Sequence, residues 1–258
     1  MTRQDRSLKA MLDEKVLLYN RPAFIEKDPV SIPHRFTGKQ DIEISGLFAA
    51  VLAWGNRTAI INSCNRLMQW MDHRPYEFIL HHRDTDLKPF LHFAHRTFNA
   101  TDLLYFIHFL QFHYRQFPSL EDAFVPAAAD EADTVGEALI RFHRYFFSIE
   151  HPDRTRKHIA TPARKSACKR LNMYLRWMVR KDAQGVDFGI WDKLSPRQLV
   201  CPLDVHVARV AARLGLLDDN RANWGNALQL TGRLRAFNRE DPAIYDYALF
   251  SLGVTERF

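Results

Sequence analysis

Apolar residues recur every three to four positions along most of this chain, and this spacing restricts its fold more than any other feature. Residues three and four apart share one face of an α-helix, so the spacing predicts amphipathic helices. The predicted helices cover residues 5–19, 41–54, 58–71, 101–115, 134–147, 165–180, 204–214, 223–236 and 242–252. With only 10 glycines and no alternating Val, Ile and Thr runs bounded by turn residues, a substantial sheet is not expected. The sequence therefore predicts an all-α fold.

The length of 258 residues allows one large helical domain or two tightly packed helical subdomains. Residues 117–133 contain Pro118, Pro126 and a run of alanines and acids, which predicts a loosely packed connection. A subdomain boundary would fall there, near residue 130. We treat residues 1–258 as one domain, with the chemistry concentrated in residues 155–216.

Composition excludes several classes of protein. Hydrophobic residues make up 47% of the chain, which is typical of globular proteins. No run of about 18 apolar residues occurs and the first residues alternate charged with apolar side chains, so we expect neither a membrane span nor a signal peptide, and a cytoplasmic location. Cys64, Cys168 and Cys201 lack the Cys-x-x-Cys spacing of zinc and iron–sulfur sites, so we expect buried thiols, no metal and no cofactor.

Positive charge is concentrated in one segment. The chain has a formal charge of +6, but residues 151–181 contain ten Lys and Arg against a single acid, Asp153. This segment carries +9, and the rest of the chain therefore carries −3. Such a local excess favours a polyanionic partner, because each phosphate that is neutralised releases condensed counterions.

A helix over residues 165–180 would place its polar and apolar residues on opposite faces. Its apolar face would contain Ala167, Leu171, Tyr174 and Met178. The opposite face, which we call the basic stripe, would contain Lys165, Lys169, Asn172, Arg176 and Arg180. The stripe is suited to following a phosphate backbone. The alternative is a solvated charged face, although such faces usually mix both signs of charge.

Asp204 is the best catalytic candidate. It lies in the segment Cys201-Pro202-Leu203-Asp204-Val205-His206-Val207-Ala208-Arg209-Val210, which continues to Arg213-Leu214-Gly215-Leu216. The segment is similar to P-[VL]-D-[TV]-H-V-x-R-V-x-x-R-L-G-L of the endonuclease III and adenine-glycosylase branch of the helix-hairpin-helix DNA glycosylases. In that superfamily the aspartate is catalytic. The alternative for Asp204 is simple capping of the helix that begins there.

Two lysines compete for a second catalytic role. Lys165-Ser166-Ala167 with Leu171-Asn172 resembles the K-T-A-x-x-x-L-N segment, whose lysine forms a Schiff base in that branch. Lys169 is the alternative. The segment Ser166-Ala167-Cys168-Lys169-Arg170-Leu171-Asn172-Met173 resembles the bacterial DUF2400-like family, whose pattern keeps this lysine. Archaeal 8-oxoguanine DNA glycosylases show a similarly wide gap between the lysine and the aspartate. One departure is clear: Thr161-Pro162-Ala163-Arg164 stands where the G-V-G hairpin would grip a phosphate.

The resemblance also implies a DNA-binding surface and a pocket for a base that has left the helical stack. The expected DNA-binding residues are Asn56, Arg57, Arg164, Arg170, Asn172, Arg176, Arg180, His206 and Arg209. The candidates for the base pocket are Trp54, Trp177, Phe188 and Trp191.

The resemblance predicts a monomeric DNA glycosylase of base-excision repair that acts on damaged, oxidised or otherwise modified double-stranded DNA, with or without lyase activity. A non-catalytic nucleic-acid-binding protein on the same scaffold is the first alternative. The second is a helical protein whose basic stripe meets an acidic protein. The sequence leaves open the choice of base, of lysine, and of DNA or RNA.

Overall fold

The computed structural model describes residues 1–125, 132–256 and 258, and most of these are helical. The α-helices, in chain order, are α1 (Arg3–Tyr19), α2 (Lys39–Leu52), α3 (Arg57–Trp70), α4 (Pro75–His81), α5 (Ala100–Tyr114), α6 (Glu121–Phe124), α7 (Gly136–Phe146), α8 (Lys169–Val179), α9 (Val205–Arg213), α10 (Trp224–Arg235) and α11 (Asp246–Val254). Two antiparallel strands, β1 (Ala94–His95) and β2 (Phe98–Asn99), form the sheet of the described part. The predicted all-α class is confirmed.

The chain divides into two compact units. Unit 1 comprises Met1–Glu26, Glu131–Glu137 and Thr161–Phe258, and unit 2 comprises Lys27–Asp130 and Ala138–Ala160. The boundary predicted near residue 130 lies outside the described residues. Asp204, both candidate lysines and the basic stripe belong to unit 1.

Within unit 1, α11 packs against both α1 and α9. Gly253 lies where α11 meets α9: a Cβ there would lie 3.2 Å from Val210 Cγ2 and 3.3 Å from the His206 carbonyl oxygen. The missing side chain therefore lets the two helices approach closely. Tyr245, just before α11, donates a hydrogen bond of 2.8 Å to Asp13 on α1.

Helix α8 is buried along most of its length. All residues from Leu171 to Val179 are buried, including Trp177 at 0% exposure. The predicted apolar face is confirmed, since Ala167, Leu171, Tyr174 and Met178 are at most 5% exposed. Trp191 packs edge to face against Tyr174, with ring centroids 5.4 Å apart. Trp177 and Trp191 are therefore core residues, and their prediction as a base pocket is wrong.

Unit 2 has its own core. Helix α2 is buried from Ile42 to Leu52, and the buried carboxylate of Glu43 accepts hydrogen bonds from Tyr114 Oη at 2.8 Å and from the Leu120 backbone at 3.0 Å. Phe106 packs edge to face against Phe146, with centroids 4.7 Å apart. Among the described residues of either unit, no helix is both long and apolar enough to cross a membrane.

Candidate active site

Asp204 caps the N-terminus of α9 with one oxygen only. Its Oδ1 accepts hydrogen bonds from the backbone N–H groups of His206 at 2.9 Å and Val207 at 3.0 Å. Its backbone is extended, as is usual for a residue that precedes a helix. The second oxygen, Oδ2, is turned toward Lys169. Capping and a chemical role are thus compatible, because each uses a different oxygen.

Lys169 and Asp204 are brought together although 34 residues separate them along the chain. The Nζ atom of Lys169 lies 3.8 Å from Asp204 Oδ2, and the two side chains are 23% and 25% exposed. A small molecule or an extruded nucleotide could therefore reach both groups. Lys169 is the first residue of α8, where the helix dipole disfavours a cation by up to about 1 kcal/mol, and the Asp204 carboxylate offsets this.

The surroundings of the Lys169 ammonium group are mostly apolar. Its Nζ lies 3.8 Å from Met173 Sδ and 5.9 Å from the centroid of the Phe250 ring on α11. Phe250 was not among the residues predicted for the site. The sequence contained a signal for it, since residues 245–253 resemble the closing helix of the glycosylase superfamily, but no pattern connected that helix with Lys169.

Lys165 lies elsewhere. It precedes α8, is exposed, and its backbone carbonyl accepts a hydrogen bond of 3.0 Å from the Trp224 N–H. Among the described residues its side chain has no contact with Asp204, whereas Lys169 does. Of the two competing lysines, the geometry therefore favours Lys169.

The backbone before α8 is strained. Lys165 has φ 58° and Cys168 has φ 50°, a left-handed conformation that non-glycine residues seldom adopt. Each costs on the order of 1–2 kcal/mol. Two hydrogen bonds hold this turn. The Lys165 N–H donates to the Pro162 carbonyl oxygen at 2.7 Å, and the Cys168 N–H donates to the Ser166 hydroxyl oxygen at 3.2 Å. The turn positions Lys169 without the glycines of a G-V-G hairpin.

A buried carboxyl group lies near the pair. Asp246, the first residue of α11, is paired with Arg176 Nη1. Burial raises the pKa of Asp246 to about 6, while the charges of Arg176 and Lys169 act in the opposite direction and that of Asp204 adds to the rise. The charges of Lys169 and Asp204 therefore both affect the pKa of Asp246.

Three of the five residues of the predicted basic stripe are not exposed, so for these three the prediction is wrong. Asn172, Arg176 and Arg180 are at most 3% exposed, so none of them can lie along a DNA backbone as predicted. The Asn172 amide donates a hydrogen bond of 3.0 Å to the Ala167 carbonyl.

Carboxylates explain the burial of the two arginines, because a buried charge needs a partner. Arg176 Nε lies 3.3 Å from Asp187 Oδ1, and it also pairs with Asp246. Arg180 lies 2.9 Å from Asp187 and 2.7 Å from Asp241, and it also pairs with Asp182. These acids come from outside α8, so counting charges along the segment could not reveal them.

Comparison with known proteins identifies the family of this chain. A family model described as a protein of unknown function, DUF2400, matches residues 28–255. The chain belongs to the DUF2400 family. No curated protein and no solved structure matches it. A relationship to the helix-hairpin-helix glycosylases therefore stays a prediction from the residues.

The other predicted DNA-binding residues of unit 1 in this DUF2400 protein lie at the surface. Arg164 is exposed, and Arg170 is half-buried, where loss of water lowers the pKa of its guanidinium. His206 is exposed and Arg209 is half-buried, both on α9. Their role in binding DNA stays a prediction.

A groove in unit 1 of the DUF2400 protein borders α9. It has a volume of about 420 Å³ and is lined by His206, Arg209, Arg213, Gly253, Val254 and Phe258. Arg213 belongs to the motif of residues 201–216 but was not predicted as a site residue. Its spacing from His206 and Arg209, seven and four residues, was the signal that could have grouped the three on one helical face.

Three predicted residues belong to unit 2. Asn56 caps α3 by accepting a hydrogen bond of 3.2 Å from the Ala59 N–H, and Arg57 is half-buried. Trp54 is half-buried, with the Arg96 guanidinium 4.9 Å from the centre of its ring. Phe188, in unit 1, is also half-buried. Whether these four residues contact DNA or a base stays a prediction.

The cysteines are free and buried. Burial raises the pKa of Cys64 and of Cys168 to about 12, and it raises the pKa of Cys201 well above its ordinary value. None is therefore a nucleophilic thiolate at neutral pH. Within the described residues no group of three or more His, Cys, Asp and Glu side chains could hold a metal ion.

Proposed function

We propose that this chain is a DNA glycosylase with lyase activity that removes a damaged, for example oxidised, base from double-stranded DNA. The observation that carries the proposal is the Lys169–Asp204 pair, an amine and a carboxylate 3.8 Å apart and each about a quarter exposed. The similarity of residues 201–216 to a helix-hairpin-helix glycosylase segment supports it further. The proposal includes the cytoplasmic location and the monomeric state that the sequence predicts.

Each member of the pair has a defined task in this reaction. Breaking an N-glycosidic bond gives the sugar oxocarbenium character, which a nearby carboxylate stabilises, and Asp204 Oδ2 takes this role. After Nζ of Lys169 has released a proton to solvent, its free electron pair attacks C1′ while the C1′–N bond breaks. The electrons of that bond leave with the base, which takes up a proton from solvent. Nζ then loses a further proton, the C1′–O4′ bond breaks to give a protonated imine, and O4′ takes up a proton. β-Elimination removes a proton from C2′ and expels the 3′ phosphate, which cuts the strand.

The test is base release and borohydride trapping on labelled duplexes that carry 8-oxoguanine, uracil, an alkylated base or an abasic site. Asp204→Asn is the decisive variant, because asparagine caps helices as well as aspartate does but carries no charge. We expect it to slow base release about 100-fold to 1,000-fold while the melting temperature stays near that of the wild type. Lys169→Ala should abolish the trapped complex, and the matched control Lys165→Ala should retain it.

A non-catalytic nucleic-acid-binding protein is the second candidate. The segment Thr161-Pro162-Ala163-Arg164 favours it, because this glycine-free segment stands where the resemblance predicts the G-V-G hairpin that grips a phosphate. In that case neither base release nor trapping occurs on any duplex. Duplex binding then weakens steeply with salt and is unchanged in Asp204→Asn.

A further inference from the structure

Two arginines and a histidine line one face of α9. His206, Arg209 and Arg213 follow one another at intervals of three and four residues, which places them on the same side of the helix. They form one wall of the groove of about 420 Å³, and Gly253, Val254 and Phe258 form the other. We call this the α9 groove.

Arg209 and Arg213 of the α9 groove have no carboxylate partner in the described part of the chain. Arg209 donates one long hydrogen bond, 3.5 Å, to the Gly253 carbonyl, and its Nε is shielded from water without an acceptor. A shielded donor without a partner is costly, so an oxygen-rich anion would be stabilised there.

The acid nearest in sequence to the end of α11 is already occupied. Both oxygens of Glu256 accept hydrogen bonds from Lys15 Nζ, at 2.8 and 2.9 Å, and one also accepts from Tyr19 Oη at 2.8 Å. These contacts hold the Glu256 carboxylate on α1. The Glu256 carboxylate is therefore engaged by α1 rather than by Arg209 or Arg213.

The second wall is apolar. Val254 and Phe258 are 36% and 41% exposed, and Gly253 adds no side chain. The volume is within the range of small-molecule sites, about 300–1,000 Å³, and exceeds the space that a phosphate alone needs. A phosphate on the arginines with a sugar against the apolar wall fits this arrangement.

We propose that the α9 groove binds a phosphate group of a nucleotide unit. The proposal rests on the proposed function for its preferred source, the DNA strand that carries the damaged base. With a helical rise of 1.5 Å per residue, Arg209 and Arg213 lie about 7.5 and 13.5 Å along α9 from Asp204. One strand advances about 3.4 Å per nucleotide, so the bound phosphate lies a few nucleotides from the excised base.

The test compares Arg209→Gln/Arg213→Gln with Arg233→Gln/Arg239→Gln. Arg233 and Arg239 are also exposed cations of unit 1 but lie outside the groove, so both variants lose the same charge. For a 20-base-pair duplex, we expect the plot of log affinity against log salt to become less steep by about 1 to 2 in the groove variant only. Circular dichroism and thermal melting check that both variants are folded.

A second arm identifies the source of the phosphate. A deoxynucleoside monophosphate is titrated into the wild type and both variants by calorimetry. Binding that is lost only in the groove variant assigns the groove to a free nucleotide phosphate, whereas a changed duplex slope without mononucleotide binding assigns it to the DNA backbone. Equal behaviour of the groove and control variants in both arms, or no binding in either, overturns the proposal.

The two proposals can fail separately. Base release and trapping depend on Asp204 and Lys169, whereas the groove is judged by affinity alone. A duplex-binding chain with a groove-dependent salt slope but no trapped complex would reject the glycosylase and keep the groove. A trapped complex together with equal salt slopes for the groove and control variants would support the glycosylase and reject the groove.

Discussion

Two basic helical faces of unit 1 are similar in sequence and differ in the structure. On α8, Arg176 and the residue that ends the helix, Arg180, are buried against Asp187, Asp241 and Asp246. On α9, Arg209 and Arg213 border an open groove and pair with no carboxylate in the described part of the chain. The arginines of the face that looked like a DNA-binding surface are buried and structural, while the two arginines of α9 border an open groove.

A local excess of charge in the sequence therefore does not identify a binding surface. Two of the acids that pair with these arginines are distant in the sequence: Asp246, the first residue of α11, is 70 residues from Arg176, and Asp241 is 61 residues from Arg180. What decides the role of a cation is whether the fold brings an acid to it.

The largest effect should come from breaking the α8 network. Arg180→Met leaves the buried carboxylate of Asp187 with one cation fewer, so we expect the free energy of unfolding to fall by about 3–5 kcal/mol in urea denaturation. Arg213→Gln is the matched change on α9 and should alter it by less than about 0.5 kcal/mol. Similar losses for both variants would contradict the comparison.

Asp246 should give the α8 network a distinct pH dependence. Its pKa of about 6 in the folded protein exceeds the ordinary value of 3.8, so its protonated form is favoured by folding. Its contribution to stability is complete below about pH 4 and is lost as the pH rises through 6. We therefore expect the stability of the wild type relative to Asp246→Asn to decrease between pH 4 and 6, measured by urea denaturation. A relative stability that rises over this range would show the opposite sign.

A smaller effect is expected at the helix ends. Gly215 (φ 71°) follows α9, whereas the exposed Lys165 (φ 58°) adopts the same left-handed conformation before α8. Lys165→Gly should therefore raise the unfolding free energy by about 0.5–1 kcal/mol. It should leave trapping unchanged, because Lys169 and not Lys165 lies beside Asp204. A loss of trapping in Lys165→Gly with normal stability would restore Lys165 as the catalytic lysine.

The smallest effect on stability, and a clear effect on binding, should come from α9. Arg213→Gln alone should leave the melting temperature within about 2 °C of the wild type and make the salt dependence of duplex binding less steep by about 1. Arg233→Gln is its control. If the salt dependence of duplex binding is the same in Arg213→Gln as in the wild type, then Arg213 does not bind a phosphate and α9 does not differ from α8 in ligand binding.

Much of the helical fold could be predicted because helix periodicity is a local property. Each of the nine predicted stretches contains an α-helix, and the apolar face of α8 was placed correctly. Helices α4 (Pro75–His81) and α6 (Glu121–Phe124) were missed, since seven and four residues are too few for a clear period. The predicted helix over 165–180 began four residues too early, because the left-handed residues Lys165 and Cys168 have no sequence signature as glycine would have.

The candidate site could be predicted only in part. Asp204 was found through a motif of contiguous residues, and its capping bonds follow from its position before α9. The choice between Lys165 and Lys169 depended on the turn before α8, and the contact with Phe250 depended on packing of α11, neither of which a linear pattern contains. Tertiary contacts with distant acids likewise decided the burial of Arg176.

The central claim is that Lys169 and Asp204 form the reactive pair, and mass spectrometry of the borohydride-trapped complex tests it most directly. Peptide mapping identifies the residue that carries the reduced sugar. We expect the adduct on Lys169 in the wild type, and we expect its yield to be about 100-fold lower, or lower still, in Asp204→Asn. An adduct on Lys165, or one formed equally well by Asp204→Asn, would contradict it.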